Sequence, residues 1–254
     1  MSPATPGPGA RPAGASRIPA VAARELRAYF NSAIAYVFLT VFAGAALFTF
    51  FNVGAFFARG VADLRGLFGP LPLLMILLVP ALTMRLWAEE QKQGTLEVLL
   101  TLPVRDHELV LGKFLASWAL LACGLLLTLV LPVTAGALGR LDLGPVLGGY
   151  LGALLLGGAY LAVGQFLSAS TENQILAFML ALVVCLALYG VGTEAFAGLF
   201  ADRTAAILRA IGTGSRFQSI ARGVVDLRDL VYYASLTVFF LVACVMAVRS
   251  RRWT

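Results

Sequence analysis

Long apolar runs alternate with short polar breaks along this chain. Six runs, at roughly 33–57, 67–87, 109–135, 145–168, 174–198 and 231–249, each exceed the ~18 residues that mark a bilayer-crossing helix. Inside a bilayer every backbone amide must find its partner within its own segment, so such runs predict helices. A membrane β-barrel would show alternating segments of about ten residues, and these runs do not alternate. The pattern therefore predicts an all-α membrane protein with six transmembrane helices.

The breaks carry their own patterns. Ahead of the first run, Ala22, Leu26, Tyr29 and Phe30 recur at helical spacing, with Arg24, Glu25 and Arg27 polar. That suits a helix lying in the membrane interface. Between runs two and three lies Glu89-Glu90-Gln91-Lys92-Gln93-Gly94-Thr95-Leu96-Glu97-Val98-Leu99-Leu100, closed by Pro103. Gly94 can break or bend a helix there and Thr95 can cap the turn that follows. Two short helical pieces are expected, with an apolar side for a partner groove and acidic positions for basic contacts. Residues 199–230 form a long break, and its apolar spacing predicts two short amphipathic helices separated at Gly212-Thr213-Gly214-Ser215. Gly148 and Gly152 make a GxxxG in run four, continued by Ala153 and Gly157, which predicts close helix packing.

Composition agrees with the runs. The 254 residues are 60% hydrophobic and 13% charged, against roughly 25% charged in a soluble domain. The net charge of +6 does not indicate nucleic-acid binding, because the cationic residues cluster at run ends without interleaved aromatics. Placing both termini in the cytoplasm puts eleven of the 19 Lys and Arg inside and eight outside, with Arg24, Arg27, Arg249, Arg251 and Arg252 flanking the first and last runs. Residues 1–20, rich in Pro, Gly and Ala, are expected to be a disordered cytoplasmic tail before a six-helix domain over 21–254.

Candidate chemistry is sparse. His107 is the only histidine and is expected in a charged, solvated loop, Arg105-Asp106-His107-Glu108. Cys123, Cys185 and Cys244 lack CxxC spacing and lie inside apolar runs. No metal site is expected, and Gly112-Lys113-Phe114 lacks the upstream glycine loop of a phosphate-binding motif. The chain is expected not to be an enzyme. Arg85, Lys113 and Glu194 fall near run ends, where long side chains can snorkel to the interface. A secondary carrier would need an intramembrane charge cluster, which the runs do not show.

The residues Glu90, Gly94, Thr95, Leu96, Glu97, Leu99, Leu100, Pro103 and Val104 resemble, in order, the first cytoplasmic loop of ABC-2-type transporter permeases. Gly112-Lys113 is similar to the dipeptide that follows in that family. Arg24-Glu25-Leu26, Tyr29-Phe30 and Ala35-Tyr36-Val37 resemble the start of its gliding-motility-type branch, which is related more distantly to the copper-site maturation permeases of nitrous oxide reductase. Ala33 departs from that branch, which often has proline there. The stretch Arg216-Phe217, Arg222-Gly223-Val224, Asp226, Arg228-Asp229 and Tyr232-Tyr233 resembles its segment before the last span.

The resemblance implies a permease of type V exporter-like fold in the cytoplasmic (inner) membrane of a prokaryote. It implies an N-terminal interfacial helix, a cytoplasmic coupling helix and outer re-entrant helices. Glu89, Glu90, Gly94, Thr95, Leu96, Glu97, Leu99 and Leu100 would contact a cytoplasmic ATPase dimer, which would bind the ATP and Mg. Arg216, Phe217, Arg222, Gly223, Asp226, Arg228 and Asp229 would belong to the re-entrant segment. A second permease copy or related chain would complete the complex in the lipid bilayer, with room for an accessory extracytoplasmic protein. The alternative is a membrane scaffold that recruits partners without moving cargo.

Overall fold

A computed structural model describes residues 17–61, 63–94 and 104–250. The tail expected over 1–20 lies outside the described residues up to residue 16, and its last residues are helical. Helix α1 (Ile18–Phe30) starts before the expected residue 21, with Pro19 in its first turn, where a missing amide costs nothing. Ser32 then caps α2 (Ala33–Phe48), its Oγ accepting from the Ile34 amide at 3.3 Å.

Among the described residues the elements are helical, and six stretches are long and apolar enough to cross a membrane. They are Ala33–Arg59, Leu71–Lys92, Asp106–Leu138, Leu143–Ser170, Gln174–Val191 and Leu227–Ser250. The first passes from α2 through one π-helical turn at Thr49–Val53. The second contains α3 (Leu71–Thr83) and α4 (Ala88–Lys92). The third contains α5 (Asp106–Leu127) and α6 (Val130–Leu138). The stretch expected as a charged loop around His107 is instead the first turn of α5, with His107 exposed. Helices α7 (Leu143–Ser170) and α8 (Gln174–Val191) are capped by Asp142 and Asn173, which accept from the Gly144 and Ile175 amides. After α8 come α9 (Asp202–Ile211), α10 (Thr213–Ala221) and α11 (Leu227–Ser250).

Helix α7 is the hub. Its span is 72% buried, against 17% for α8, and it packs on α3, α5, α8, α10 and α11. Its small residues make this possible. A Cβ on Gly148 would lie 2.2 Å from the Ile220 carbonyl oxygen, and one on Gly164 would lie 2.1 Å from Thr83 Oγ1. The GxxxG stripe thus packs against elements of the same chain. The fifth span stops at Val191 rather than near 198, because Gly192 meets Gly212 in close backbone contact and the chain turns there.

Candidate functional site

One end of the bundle gathers the termini of α1, α4, α5 and α7, and Lys113 sits at their junction. Lys113 is only 2% exposed. Its Nζ donates to Glu90 Oε1 at 2.7 Å and to the Leu86 carbonyl at 3.0 Å, and lies 3.6 Å from Glu25 Oε2. The Trp87 ring, itself fully buried, faces the ammonium at 5.0 Å from its centroid. Burying an ammonium costs several kcal/mol unless it is paired and hydrogen-bonded. Here three elements supply the compensation: Glu25 from α1, Glu90 from α4 and a carbonyl from the corner before α4.

This corrects two expectations. Lys113 does not snorkel to the interface; it points into the protein about 10 Å along the third span. Glu25 does not belong to a solvated face of α1; it shares one face with the buried Val21 and Tyr29, at spacings of four residues. Neither relation is visible locally, because the partners come from separate helices. The Gly112-Lys113 pair was the available signal. A Cβ on Gly112 would lie 2.5 Å from Val21 Cγ1, so Gly112 lets α1 close onto α5 beside the lysine. Glu108 completes this seam, accepting from the Arg17 and Arg105 amides at 3.0 and 3.1 Å.

The corner between α3 and α4 is fastened to α7. Ser168 Oγ accepts from the Trp87 and Ala88 amides at 3.1 and 3.2 Å and donates to the Met84 carbonyl at 3.0 Å. Gln91 Nε2 donates to the Ala169 carbonyl at 2.9 Å. Glu89 pairs with Arg85 at 3.1 Å and accepts from Gln174 at 2.9 Å and Gln93 at 2.9 Å. Glu89 and Glu90, expected to meet a partner's basic groups, are thus both engaged inside the chain. Helix α4 ends at Lys92, and Gly94 follows with φ of +68°, the left-handed conformation that suits glycine after a helix. Thr95, Leu96, Glu97, Leu99 and Leu100 lie outside the described residues.

The opposite end carries the 199–230 segment. Arg216 Nη1 donates to Asp229 Oδ1 at 2.7 Å, Nη2 donates to the Ala210 carbonyl at 2.9 Å, and the guanidinium lies 4.3 Å from the Tyr232 ring centre. Tyr232 donates to the Ile211 carbonyl and Tyr233 to that of Thr213. Phe217 is buried. Gly223 turns the chain with φ of +88°, close against Gly144. Arg222, Asp226 and Arg228 are exposed, and Asp226 Oδ1 accepts from the Arg228 amide at 2.9 Å. The expected break over Gly212–Ser215 is narrower than four residues: Thr213 already opens α10. The tight meeting with Gly192 makes Gly212 the corner.

Among the described residues no group of three or more His, Cys, Asp or Glu side chains could hold a metal ion. Among the described residues the chemistry available is mechanical: a buried cation and a buried hydroxyl tie the α3–α4 corner and α4 to the third and fourth spans. The family model described as ABC-2 family transporter protein matches residues 70–248. That interval contains the α3–α4 corner, Lys113, Ser168 and the 199–230 segment. No curated protein matches the chain.

Proposed function

The chain belongs to the ABC-2 family of transporter proteins and is a multi-pass membrane protein; from that premise we propose that it is the permease subunit through which a cytoplasmic ATPase dimer drives export or mechanical transmission across the membrane. ATP and Mg sit on the ATPase in this reading, and a second permease copy or related chain completes the pair. The permease domain covers 21–254, both termini face the cytoplasm of a prokaryotic cell, and the segment 89–104 seats in the ATPase groove. The resemblance of Arg24-Glu25-Leu26 and Tyr29-Phe30 to the gliding-motility-type branch supports placing the chain there.

The observation that carries the proposal is the junction at Lys113. A push on the 89–104 segment needs a stiff path into the spans. Glu90 hands such a displacement to Lys113 on the third span, and Ser168 hands it to the fourth. Glu25 carries the same displacement to α1. Packed interiors respond to such displacements by discrete rearrangement rather than gradual yielding.

The test is assembly and ATP turnover of the full chain with its ATPase, comparing wild type with Gly94→Pro and Glu97→Lys variants. The proposal expects weakened assembly or lost stimulation of turnover. Unchanged assembly and unchanged stimulation in both variants would overturn it, and failure of any ATPase to co-purify would favour the scaffold reading.

A further inference from the structure

At the end of the bundle opposite Lys113, residues 61 and 63–69, the 140–146 corner and α10 line an open cavity of about 720 Å³. Small-molecule sites typically span ~300–1,000 Å³. Its accessible apolar lining includes Leu141 and Tyr189, and its charged lining is Arg65, Arg140 and Arg222 with Asp63 and Asp142.

The charges do not cancel one another. Asp63 is engaged by Arg65, whose Nε lies 3.3 Å from one carboxylate oxygen while its amide donates to the other at 2.8 Å. Asp142 accepts from the Gly144 amide at the start of α7. Among the described residues Arg222 donates only its Nε, to the Gln218 carbonyl at 3.2 Å, which leaves its two terminal nitrogens available there. Arg140 makes no hydrogen bond or ion pair among the described residues. Two guanidinium groups with free donors therefore line the cavity beside the partly accessible Leu141 and Tyr189.

We propose that this cavity holds the headgroup of an anionic phospholipid from the leaflet opposite the Lys113 end. A guanidinium fork matches a phosphate bidentately. The lining residues lie just beyond the span ends at Arg59, Leu71, Leu138 and Leu143, where a bilayer would place its headgroups. The apolar surface of Leu141 and Tyr189 suits the glycerol and first methylenes of an acyl chain, which a soluble anion lacks. A zwitterionic headgroup would bring a cation against Arg140 and Arg222, so the site selects net negative charge. The inference does not depend on the coupling role proposed above.

The experiment is native mass spectrometry of the full chain purified in detergent and supplied with phosphatidylglycerol or phosphatidylcholine. The wild type is expected to retain one phosphatidylglycerol more firmly than phosphatidylcholine. Arg140→Gln/Arg222→Gln should weaken that retention roughly tenfold or more, and Arg140→Lys/Arg222→Lys should restore part of it. Millimolar inorganic phosphate should not displace the lipid. Both arginines are exposed, so the unfolding temperature of the glutamine variant should match wild type and mark the loss as local. Equal retention of the two lipids by wild type, or undiminished retention by the glutamine variant, would overturn the proposal. Displacement by phosphate alone would also overturn it and reassign the site to a soluble anion.

Discussion

Lys113 and Glu90 lie 2.7 Å apart across 23 residues of sequence, the lysine sealed from solvent and the carboxylate a quarter exposed. That asymmetry decides which partner matters more. Removing Glu90 leaves a buried cation short of its best counter-charge, whereas removing Lys113 leaves carboxylates that can rehydrate. Glu90→Gln should destabilise the protein by about 2–3 kcal/mol. Lys113→Met should cost less, and adding it to Glu90→Gln should recover stability. Unfolding in detergent, read as a double-mutant cycle, checks this. A Lys113→Met loss larger than that of Glu90→Gln would be the wrong order.

Ser168 uses its hydroxyl fully, with two amides donating to it and one carbonyl receiving its proton. Ser168→Ala leaves those buried groups unmatched and should cost about 1–3 kcal/mol. Hydrogen exchange of the Trp87 and Ala88 amides should rise in the variant.

Gly164 and Thr83 are in steric register. Gly164→Ala should destabilise by about 1–3 kcal/mol through overpacking, and Thr83→Ala in the same chain should return part of that loss. Gly94→Ala behaves differently. Among the described residues it meets no neighbour, so the expected cost is the left-handed backbone conformation, about 1 kcal/mol. Thermal unfolding of the three variants separates the two causes.

Tyr29 lies on the buried face of α1, and its hydroxyl has no hydrogen-bond partner among the described residues. Burial, reinforced by the carboxylates of Glu25 and Glu90, pushes it above its ordinary value near 10. Above about pH 10 the unfolded chain ionises this phenol while the folded chain keeps its proton, so stability falls as pH rises. Tyr29→Phe should be neutral or slightly stabilising at pH 7 and should flatten the alkaline decline. Unfolding temperatures measured between roughly pH 8 and 11 report both effects.

The six spans are legible in the sequence because bilayer-length apolar runs leave little choice of structure. The end of α4 is legible too, since Gly94 and its polar flanks mark it, whereas the α3–α4 corner falls inside the second apolar run and depends on Ser168 of α7. Lys113 was readable only as a cation near a span end, since its depth is set by Glu25 and Glu90 on other helices. The burial of Glu25 was hidden for the same reason: Arg24 and Arg27 make its stretch look polar, and only the packing of Val21 on Gly112 fixes which face turns inward. The early stop of the fifth span depends on Gly192 meeting Gly212, a contact between distant segments that periodicity cannot register.

The central claim is that force received at the 89–104 segment reaches the spans through Lys113. The most direct measurement is a spin-label distance between Leu138→Cys and Leu199→Cys, both exposed at the far end of the bundle. Cys123, Cys185 and Cys244 are replaced by alanine, and the chain is assembled with its ATPase. Trapping the ATPase with ATP and vanadate should shift the distance distribution in the parent protein. The same treatment should leave it unshifted in Lys113→Met, with the ATPase still bound. An equal shift in both proteins would contradict the account.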